Sequence, residues 1–211
     1  MSFMQATARA QPNIALVKYW GKQTRGVNEP AVSSLSITLD TLWTRTRVVF
    51  DPGLEADRFA LNGAREIAQE RRVIAGLELM REIKGTDVRA SVESENNFPT
   101  GAGLASSASG FAALVTAADA ALELDLPRER LSSLARRLSG SAARSLFGGF
   151  VELWSLRPGE SDSAARPLLD AEEWPLEVVV AVVSEEAKAI GSTVGMELSR
   201  ATSEFYPQWV E

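Results

Sequence analysis

The stretch from residue 87 to residue 122 constrains the fold most. Val88, Ala90 and Val92 alternate with other residues through 87–95, the period of a half-buried strand. Residues 99–110 form a small-residue loop that runs into the Ala-rich stretch 111–122. A strand turning through glycines into an apolar helix predicts a sheet layer with helices packed on it. The rest agrees. Residues 32–39 and 42–50 are rich in β-branched residues and read as two strands, with Arg45 and Arg47 on the solvent side. Residues 58–65 read as a hairpin around Asn62-Gly63, a dipeptide suited to positive φ. Ile67, Val73, Ile74, Leu77, Met80 and Ile83 fall close to helical spacing over 66–84, and Gly85 can end that helix. Another helix is expected to begin near Pro127. Strand character returns over 150–156, an exposed connection is expected over 157–173, and 176–184 reads as a strand buried on both faces. The end, 192–209, has helical potential until Pro207, and Trp43, Trp154, Trp174 and Trp209 read as packing residues. The expected fold class is α+β.

Two absences set the chemistry. The 211 residues include no cysteine and no histidine. Disulfides, thiolate or imidazole metal sites, cysteine nucleophiles and Ser-His dyads are therefore excluded. Catalysis would have to run on Lys, Arg, carboxylates, hydroxyls and backbone amides. With 22 basic and 28 acidic residues the net charge is −6, which argues against general nucleic-acid binding and requires any anion site to be local. No apolar run approaches the roughly 20 residues needed to cross a bilayer. The N-terminus lacks the pattern of a signal peptide, so a cytoplasmic protein with no nucleic-acid or membrane partner is the expectation.

Four clusters could carry function. The first is Asn96-Asn97-Phe98-Pro99-Thr100-Gly101-Ala102-Gly103-Leu104-Ala105-Ser106-Ser107-Ala108-Ser109. Glycines let a backbone approach a ligand, and a helix N-terminus offers unpaired N–H groups to phosphate oxygens. Ser106 and Ser107 add hydroxyls for phosphate or magnesium. It is neither a Walker loop nor a good dinucleotide fingerprint, and an ordinary turn cluster would look similar. The second, Asn13-Ile14-Ala15-Leu16-Val17-Lys18-Tyr19-Trp20-Gly21-Lys22, holds two lysines four apart that could converge on an anion or simply be solvated. The third, Ser139-Gly140-Ser141-Ala142-Ala143-Arg144-Ser145, sets hydroxyls around an arginine able to grip a carboxylate or phosphate bidentately. Its serines could equally cap a helix. The fourth, Gly191-Ser192-Thr193-Val194-Gly195-Met196, is weak alone, because Ser192 or Thr193 reads as a cap.

In order, these segments resemble the diphosphomevalonate decarboxylases of the GHMP small-molecule kinase superfamily. The resemblance rests on residues 13–22 with their Lys-Tyr-Trp-Gly-Lys run, and on Ser94-Glu95-Asn96-Asn97-Phe98-Pro99-Thr100. It continues through Gly103-Leu104-Ala105-Ser106-Ser107-Ala108, Arg144-Ser145-Leu146-Phe147-Gly148-Gly149, Gly195-Met196 and Thr202-Ser203-Glu204-Phe205-Tyr206. It implies a ribosomal-protein-S5-like N-terminal domain with a left-handed βαβ crossover over 1–173, and the start of a ferredoxin-like second domain over 174–211. The implied activity is ATP-dependent decarboxylation of mevalonate 5-diphosphate to isopentenyl diphosphate, with ATP and Mg2+ required and a homodimer expected. By resemblance, Arg144 binds the substrate carboxylate beside Ser141, and Lys18 lies near the C3 oxygen. Asn13, Tyr19, Lys22, Ser139 and Ser192 hold substrate, chiefly its diphosphate end. Gly101, Gly103, Ser106 and Ser107 cradle ATP phosphates, Ser107 as the metal-side hydroxyl, with Ser94 and Asn96 near the nucleotide.

Three positions depart from the family pattern: Leu138 where Gly is expected, Gly101 where Ala is usual, and Thr193 where some relatives carry Arg. The family continues past Glu211 into the region holding its catalytic aspartate. No aspartate here matches that motif, and Asp119 and Asp125 read as surface residues. The alternatives are a phosphomevalonate decarboxylase, a mevalonate 3-kinase, or a non-catalytic remnant that binds ligand.

Overall fold

The computed structural model describes residues 4–23, 26–100, 103–156, 160–181 and 190–211. Met4–Ala10 (β1), Asn13–Val17 (β2), Ser34–Thr38 (β3), Thr44–Phe50 (β4), Arg58–Leu61 (β5) and Ala64–Arg65 (β6) precede the helix Ile67–Lys84 (α1). Ala90–Asn96 (β7), Ser106–Leu122 (α2), Arg128–Leu138 (α3) and a 3-10 turn at Gly140–Leu146 follow. Phe150–Leu153 (β8), Ala165–Leu169 (β9), Ser192–Thr202 (α4) and Tyr206–Val210 (α5) complete the order. One sheet runs β1-β4-β7-β5-β6 and a second β2-β3-β8-β9, all antiparallel except β5 against β7. The chain is α+β.

The core lies between the five-stranded sheet and its helices. In β4, Thr44, Thr46, Val48 and Phe50 point inward while Arg45 and Arg47 face solvent and pair with Glu95 and Glu93 of β7. Helix α2 packs on β1 and β4, and Ala112, Ala113, Ala117 and Ala118 are fully buried. Alanine keeps the helix axis close to the sheet at little entropic cost, which is why this helix is apolar on several sides. On α1 the inward face is Val73, Leu77 and Met80, with Gly76 meeting Leu138 and Leu114; Ile67 and Ile83 are exposed, against their expected part in the stripe. Asn62 and Gly63 take φ of 52° and 78° at the β5–β6 turn, and Gly85 takes 72° after α1, as expected.

Several expectations are corrected. Residues 4–17 contribute two strands that the sequence pattern did not announce, since β1 alternates exposure with mostly small or polar side chains. The connection 157–173 is not wholly exposed. It contains β9, which pairs with β8, and it buries Ser163 and Ala165. Residues 176–181 form no strand, and Val179 is 91% exposed. A strand needs a partner ladder, and none of the described strands pairs with this segment. Residues 182–184 of that reading lie outside the described residues. Pro207 opens α5 instead of ending a helix, as its missing N–H permits in a first turn. Trp174 stacks on Phe150 at 5.2 Å yet is 56% exposed, and Trp209 is exposed too, so neither is a core residue. Asp119 is half-buried and accepts the Leu126 amide at 3.1 Å, stapling the α2–α3 turn.

Gly149 takes φ of 69°, and a Cβ there would overlap the Leu169 carbonyl and lie 3.1 Å from Asp170 Cα. Both neighbours are backbone and cannot swing aside. Gly149→Ala is expected to destabilise the fold by about 3 kcal/mol, from left-handed strain plus overpacking. Denaturant unfolding measures it, and a midpoint equal to wild type would contradict the β8–β9 packing.

Candidate active site

Three local structures converge at one end of the α-helical layer. The first is the turn into α2. Gly103 has φ of 94° and Ala105 sits left-handed at φ 54°, ψ 38°. No side chain caps α2, so its first amides are left to other acceptors. Holding alanine left-handed costs about 1 kcal/mol, a strain consistent with a backbone shaped for something besides packing. Gly101 lies outside the described residues.

The loop leading in is braced by the sheet. Asn96 accepts from Thr44 Oγ1 at 2.6 Å and donates to Thr100 Oγ1 at 2.8 Å, while its amide donates to Asn62 Oδ1 at 2.9 Å. Ser94 and Thr46 share a hydroxyl bond of 2.8 Å, and Thr44 and Ser109 one of 2.6 Å. The side chains of Ser94 and Asn96 thus brace the loop and reach a ligand only with their remaining capacity. Behind them Phe59, Leu61, Val73, Val92, Phe111 and Leu114 line an apolar slot rimmed by Ser94, Asn96 and Ser106. Its inner space of about 20 Å3 has room for no more than about one water.

The second structure is built on Arg144 in the 3-10 turn. It is 2% exposed, and its Nε, Nη1 and Nη2 donate to Ser36 Oγ (2.9 Å), Ser34 Oγ (2.5 Å) and Asn13 Oδ1 (3.3 Å). Asn13 donates in turn to the Ser141 carbonyl (3.0 Å) and Ser145 Oγ (2.8 Å), which fixes its amide orientation. Every partner is neutral. Burial is the larger influence on the guanidinium and lowers its pKa from the ordinary arginine range to about 10, while Tyr19 pulls the other way. It stays charged at neutral pH, at a desolvation cost of about 3 kcal/mol. Neutral oxygens satisfy its donors but leave its charge unpaired, the arrangement in which an anion would be stabilised.

The third is the loop after β2. Tyr19 is buried beneath Arg144, whose guanidinium carbon stands 5.9 Å from the ring centre. Burial raises the Tyr19 pKa, opposed by Arg144, Arg72 and Arg136, so the phenol stays protonated. Lys22 Nζ donates to Thr193 Oγ1 at 2.9 Å, Trp20 Nε1 to Ser199 Oγ at 2.8 Å, and Gly195 and Tyr206 press on Trp20 and Gly21. Helices α4 and α5 therefore dock on this loop and bring Ser192, the first residue of α4, beside it. Neither Ser192 nor Thr193 caps α4; Gly191 occupies the N-cap. Burial lowers the Lys22 pKa, Arg72 lowers it further, and Glu197 opposes both.

A hydroxyl relay joins the first structure to the second. Ser107 Oγ lies 3.5 Å from Ser139 Oγ, which lies 3.4 Å from Ser141 Oγ. Ser139 stands between α3 and the 3-10 turn, where its backbone amide bonds the Ala135 carbonyl but its hydroxyl makes no capping bond, so the capping reading does not account for the side chain. Asn13, Tyr19, Ser107, Ser139, Ser141 and Arg144 are thus brought together, with Lys22 and Ser192 on the adjoining loop and helix. Lys18 is exposed, its ammonium 5.6 Å from the Trp20 ring centre. Arg72 is the residue the sequence did not reveal. Its Nη2 and Nε donate to the Leu138 carbonyl at 2.5 and 3.2 Å, and its guanidinium lies 4.4 Å from the Phe111 ring centre. It caps the C-terminus of α3 and adds positive potential at Tyr19 and Lys22. On sequence it is one of three arginines in α1, with nothing to mark it. Among the described residues no acidic cluster could hold a metal, so a divalent ion would depend on hydroxyls such as Ser107 and on ligand phosphates.

An α+β architecture of this kind, with an uncapped, glycine-led helix beside a buried arginine, is that of the GHMP small-molecule kinase fold. Residues 10–165 match the model of the diphosphomevalonate decarboxylase-like N-terminal domain, and 178–211 match that of the mevalonate 5-diphosphate decarboxylase C-terminal domain. The chain belongs to the diphosphomevalonate decarboxylase family. It is 42% identical to the diphosphomevalonate decarboxylase of Candida albicans over 95% of this chain and 60% of that protein. With the Saccharomyces cerevisiae enzyme it shares 40% identity over 100% of this chain and 57% of that one. A structure of the Enterococcus faecalis mevalonate diphosphate decarboxylase superposes with a TM-score of 0.84 and 41% identity, covering 99% of this chain and 64% of that one. A structure described as MDDEF in complex with MVAPP, AMPPCP and magnesium superposes at 0.86 with 42% identity and the same coverages. The chain spans about 60% of the length of such relatives. Among the described residues no helix is long and apolar enough to cross a membrane.

Proposed function

We propose that this chain forms the nucleotide and substrate cradle of a diphosphomevalonate decarboxylase. That enzyme converts mevalonate 5-diphosphate and ATP into isopentenyl diphosphate, ADP, phosphate and carbon dioxide. The carrying observation is Arg144, a buried cation bonded to neutral oxygens and linked by serine hydroxyls to an uncapped helix N-terminus. The relatives bound to MVAPP, AMPPCP and magnesium support the same ligands here. In this reading Arg144 binds the C1 carboxylate with Ser141 and Asn13 beside it. Tyr19, Lys22, Ser139 and Ser192 hold the diphosphate, with Arg72 reinforcing the field. Gly101, Gly103, Ser106 and Ser107 face the ATP phosphates, the adenine lies across the apolar slot, and Ser107 is the hydroxyl nearest Mg2+. Magnesium would neutralise charge on the phosphates during transfer. Lys18 approaches the C3 oxygen only if its side chain turns inward from its present exposed position. The division into 1–173 and 174–211 belongs to the same proposal, supported by the two matched segments.

The chemistry suits a chain without histidine. Once the C3 hydroxyl carries a phosphoryl group, its departure builds positive charge at C3, and loss of the C1 carboxylate as carbon dioxide quenches it. Positioning and electrostatics do most of this work. Calorimetric titration of the chain with mevalonate 5-diphosphate, with the 5-monophosphate as control, tests the cradle. Preference for the diphosphate is expected, and equal or absent binding by the folded chain would defeat the proposal. The titration has a pH signature. With the Lys22 pKa below 10.5, diphosphate affinity should begin to fall at lower pH than an ordinary lysine would dictate. The free protein moves the other way. The folded state holds this proton less tightly than the unfolded state, so unfolding stability rises as pH climbs through the lowered value toward 10.5. Lys22→Arg should push the alkaline limb of binding upward, and an unmoved limb would remove Lys22 from the diphosphate site.

A further inference from the structure

We propose that Glu29 and Arg136 are positioning residues, a buried ion pair that sets where the Lys22 arm stands relative to the Ser139–Arg144 turn. The inference rests on the reading above, in which one ligand spans both. Arg136 is 1% and Glu29 2% exposed, and Arg136 Nη2 meets Glu29 Oε1 at 2.6 Å. Arg136 spends its other donors on the hairpin that carries Glu29 and on one more segment: Nη1 on the Val27 carbonyl (2.5 Å), Nε on the Ser163 carbonyl (2.9 Å), and Nη2 also on Asp162. The second Glu29 oxygen accepts from Ser163 Oγ at 2.6 Å. Both charges are saturated, so this pair holds geometry and does not await a ligand.

Its grip passes to Lys22 through backbone. Gln23 N donates to the Glu29 carbonyl (2.9 Å), Ala31 N to the Gly21 carbonyl (3.0 Å), and Lys22 bridges Pro30. Lys22 therefore rides on one arm of a hairpin whose other arm is fastened to α3. Arg136 lies one turn before Ser139, where α3 hands over to the turn bearing Ser141 and Arg144. One helix end thus references both the cation at the diphosphate end and the cation at the carboxylate end. Gly26 makes this possible: it has φ of 74°, and a Cβ there would stand 2.5 Å from Glu29 Cγ. Asn28, at φ 55°, adds a bond from Nδ2 to the Arg137 carbonyl at 2.8 Å.

The test compares the full chain with Glu29→Ala and with Gly26→Ala, which displaces the Glu29 side chain while keeping both charges. Amide exchange at Gln23 and Ala31 should accelerate about tenfold or more, with the Ser139 amide within about threefold of wild type. Affinity for mevalonate 5-diphosphate, which must reach both cations, should fall about tenfold or more, while affinity for inorganic pyrophosphate stays within about threefold. Unchanged hairpin exchange in a folded variant overturns the proposal. So does acceleration shared equally by α3, or an equal loss for both ligands, since general destabilisation would do either. If Glu29→Ala does not fold, Gly26→Ala decides alone. A wild-type chain with no preference for the diphosphate would sink the functional reading, and the exchange comparison would still judge the clamp.

Discussion

Arg144→Ala should lower the affinity for mevalonate 5-diphosphate about a hundredfold or more while leaving the chain folded. Two effects on stability oppose each other. Removing the guanidinium deprives Ser34, Ser36 and Asn13 of a donor, and each buried acceptor left alone costs about 1–3 kcal/mol. Against this, the variant no longer buries a charge whose pKa has fallen to about 10, a relief of about 3 kcal/mol. Serine hydroxyls can also rotate toward one another or toward water entering the vacated space, so the net change should stay within about 2 kcal/mol. The ligand has no such compensation, because its carboxylate would lose the buried cation proposed to hold it. Arg144→Lys should recover only part of the affinity, since a single ammonium cannot reach the two serines, Asn13 and a carboxylate together. Calorimetry beside thermal unfolding separates the two effects. Wild-type affinity in a folded Arg144→Ala chain would remove this residue from the binding site.

Gly140→Ala should be nearly as damaging to binding, through a different route. A Cβ at position 140 would overlap the Tyr19 hydroxyl and stand 2.8 Å from Tyr19 Cζ. Tyr19 is a rigid ring buried beneath Arg144, so it cannot yield by a rotamer change at its tip. It must shift as a body, moving the floor of the carboxylate site. We expect a stability loss of about 1–3 kcal/mol from overpacking, and a fall in ligand affinity of about tenfold to a hundredfold. Tyr19→Phe added to Gly140→Ala removes the overlapping oxygen and should restore part of the stability, a coupling read directly in a double-mutant cycle. Strict additivity of the two substitutions would show that the glycine and the ring do not press on each other.

The helical and strand periods that could be read locally are the ones the structure contains. The 58–65 hairpin, the Gly85 stop and the break before α3 each follow from residues within a few positions of one another. The misreadings also share a cause. Residues 176–180 have the composition of a buried strand, yet a strand exists only where a ladder partner lies alongside, and composition carries no information about partners. The β1 pattern of Met4, Gln5, Ala6, Thr7, Ala8 and Arg9 has too little contrast between faces to announce a strand until β4 pairs with it.

The chemistry divides along the same line. An inventory without cysteine or histidine, a glycine and serine turn into an apolar helix, and an arginine among hydroxyls are matters of residue type and short spacing. They were enough to rule out cysteine and histidine chemistry and to single out the segments where an anion site could form. The meeting of Asn13, Ser34 and Ser36 with Arg144, from segments 108 to 131 positions away, depends on how β2, β3 and the 3-10 turn close on one another. So does the promotion of Arg72 from a helix-face arginine to part of the field at Lys22, and the fastening of Glu29 to Arg136 across 107 residues. Charges acquire these roles by being desolvated and aimed. Desolvation and aim are properties of packing between distant segments, which no local pattern of residues encodes.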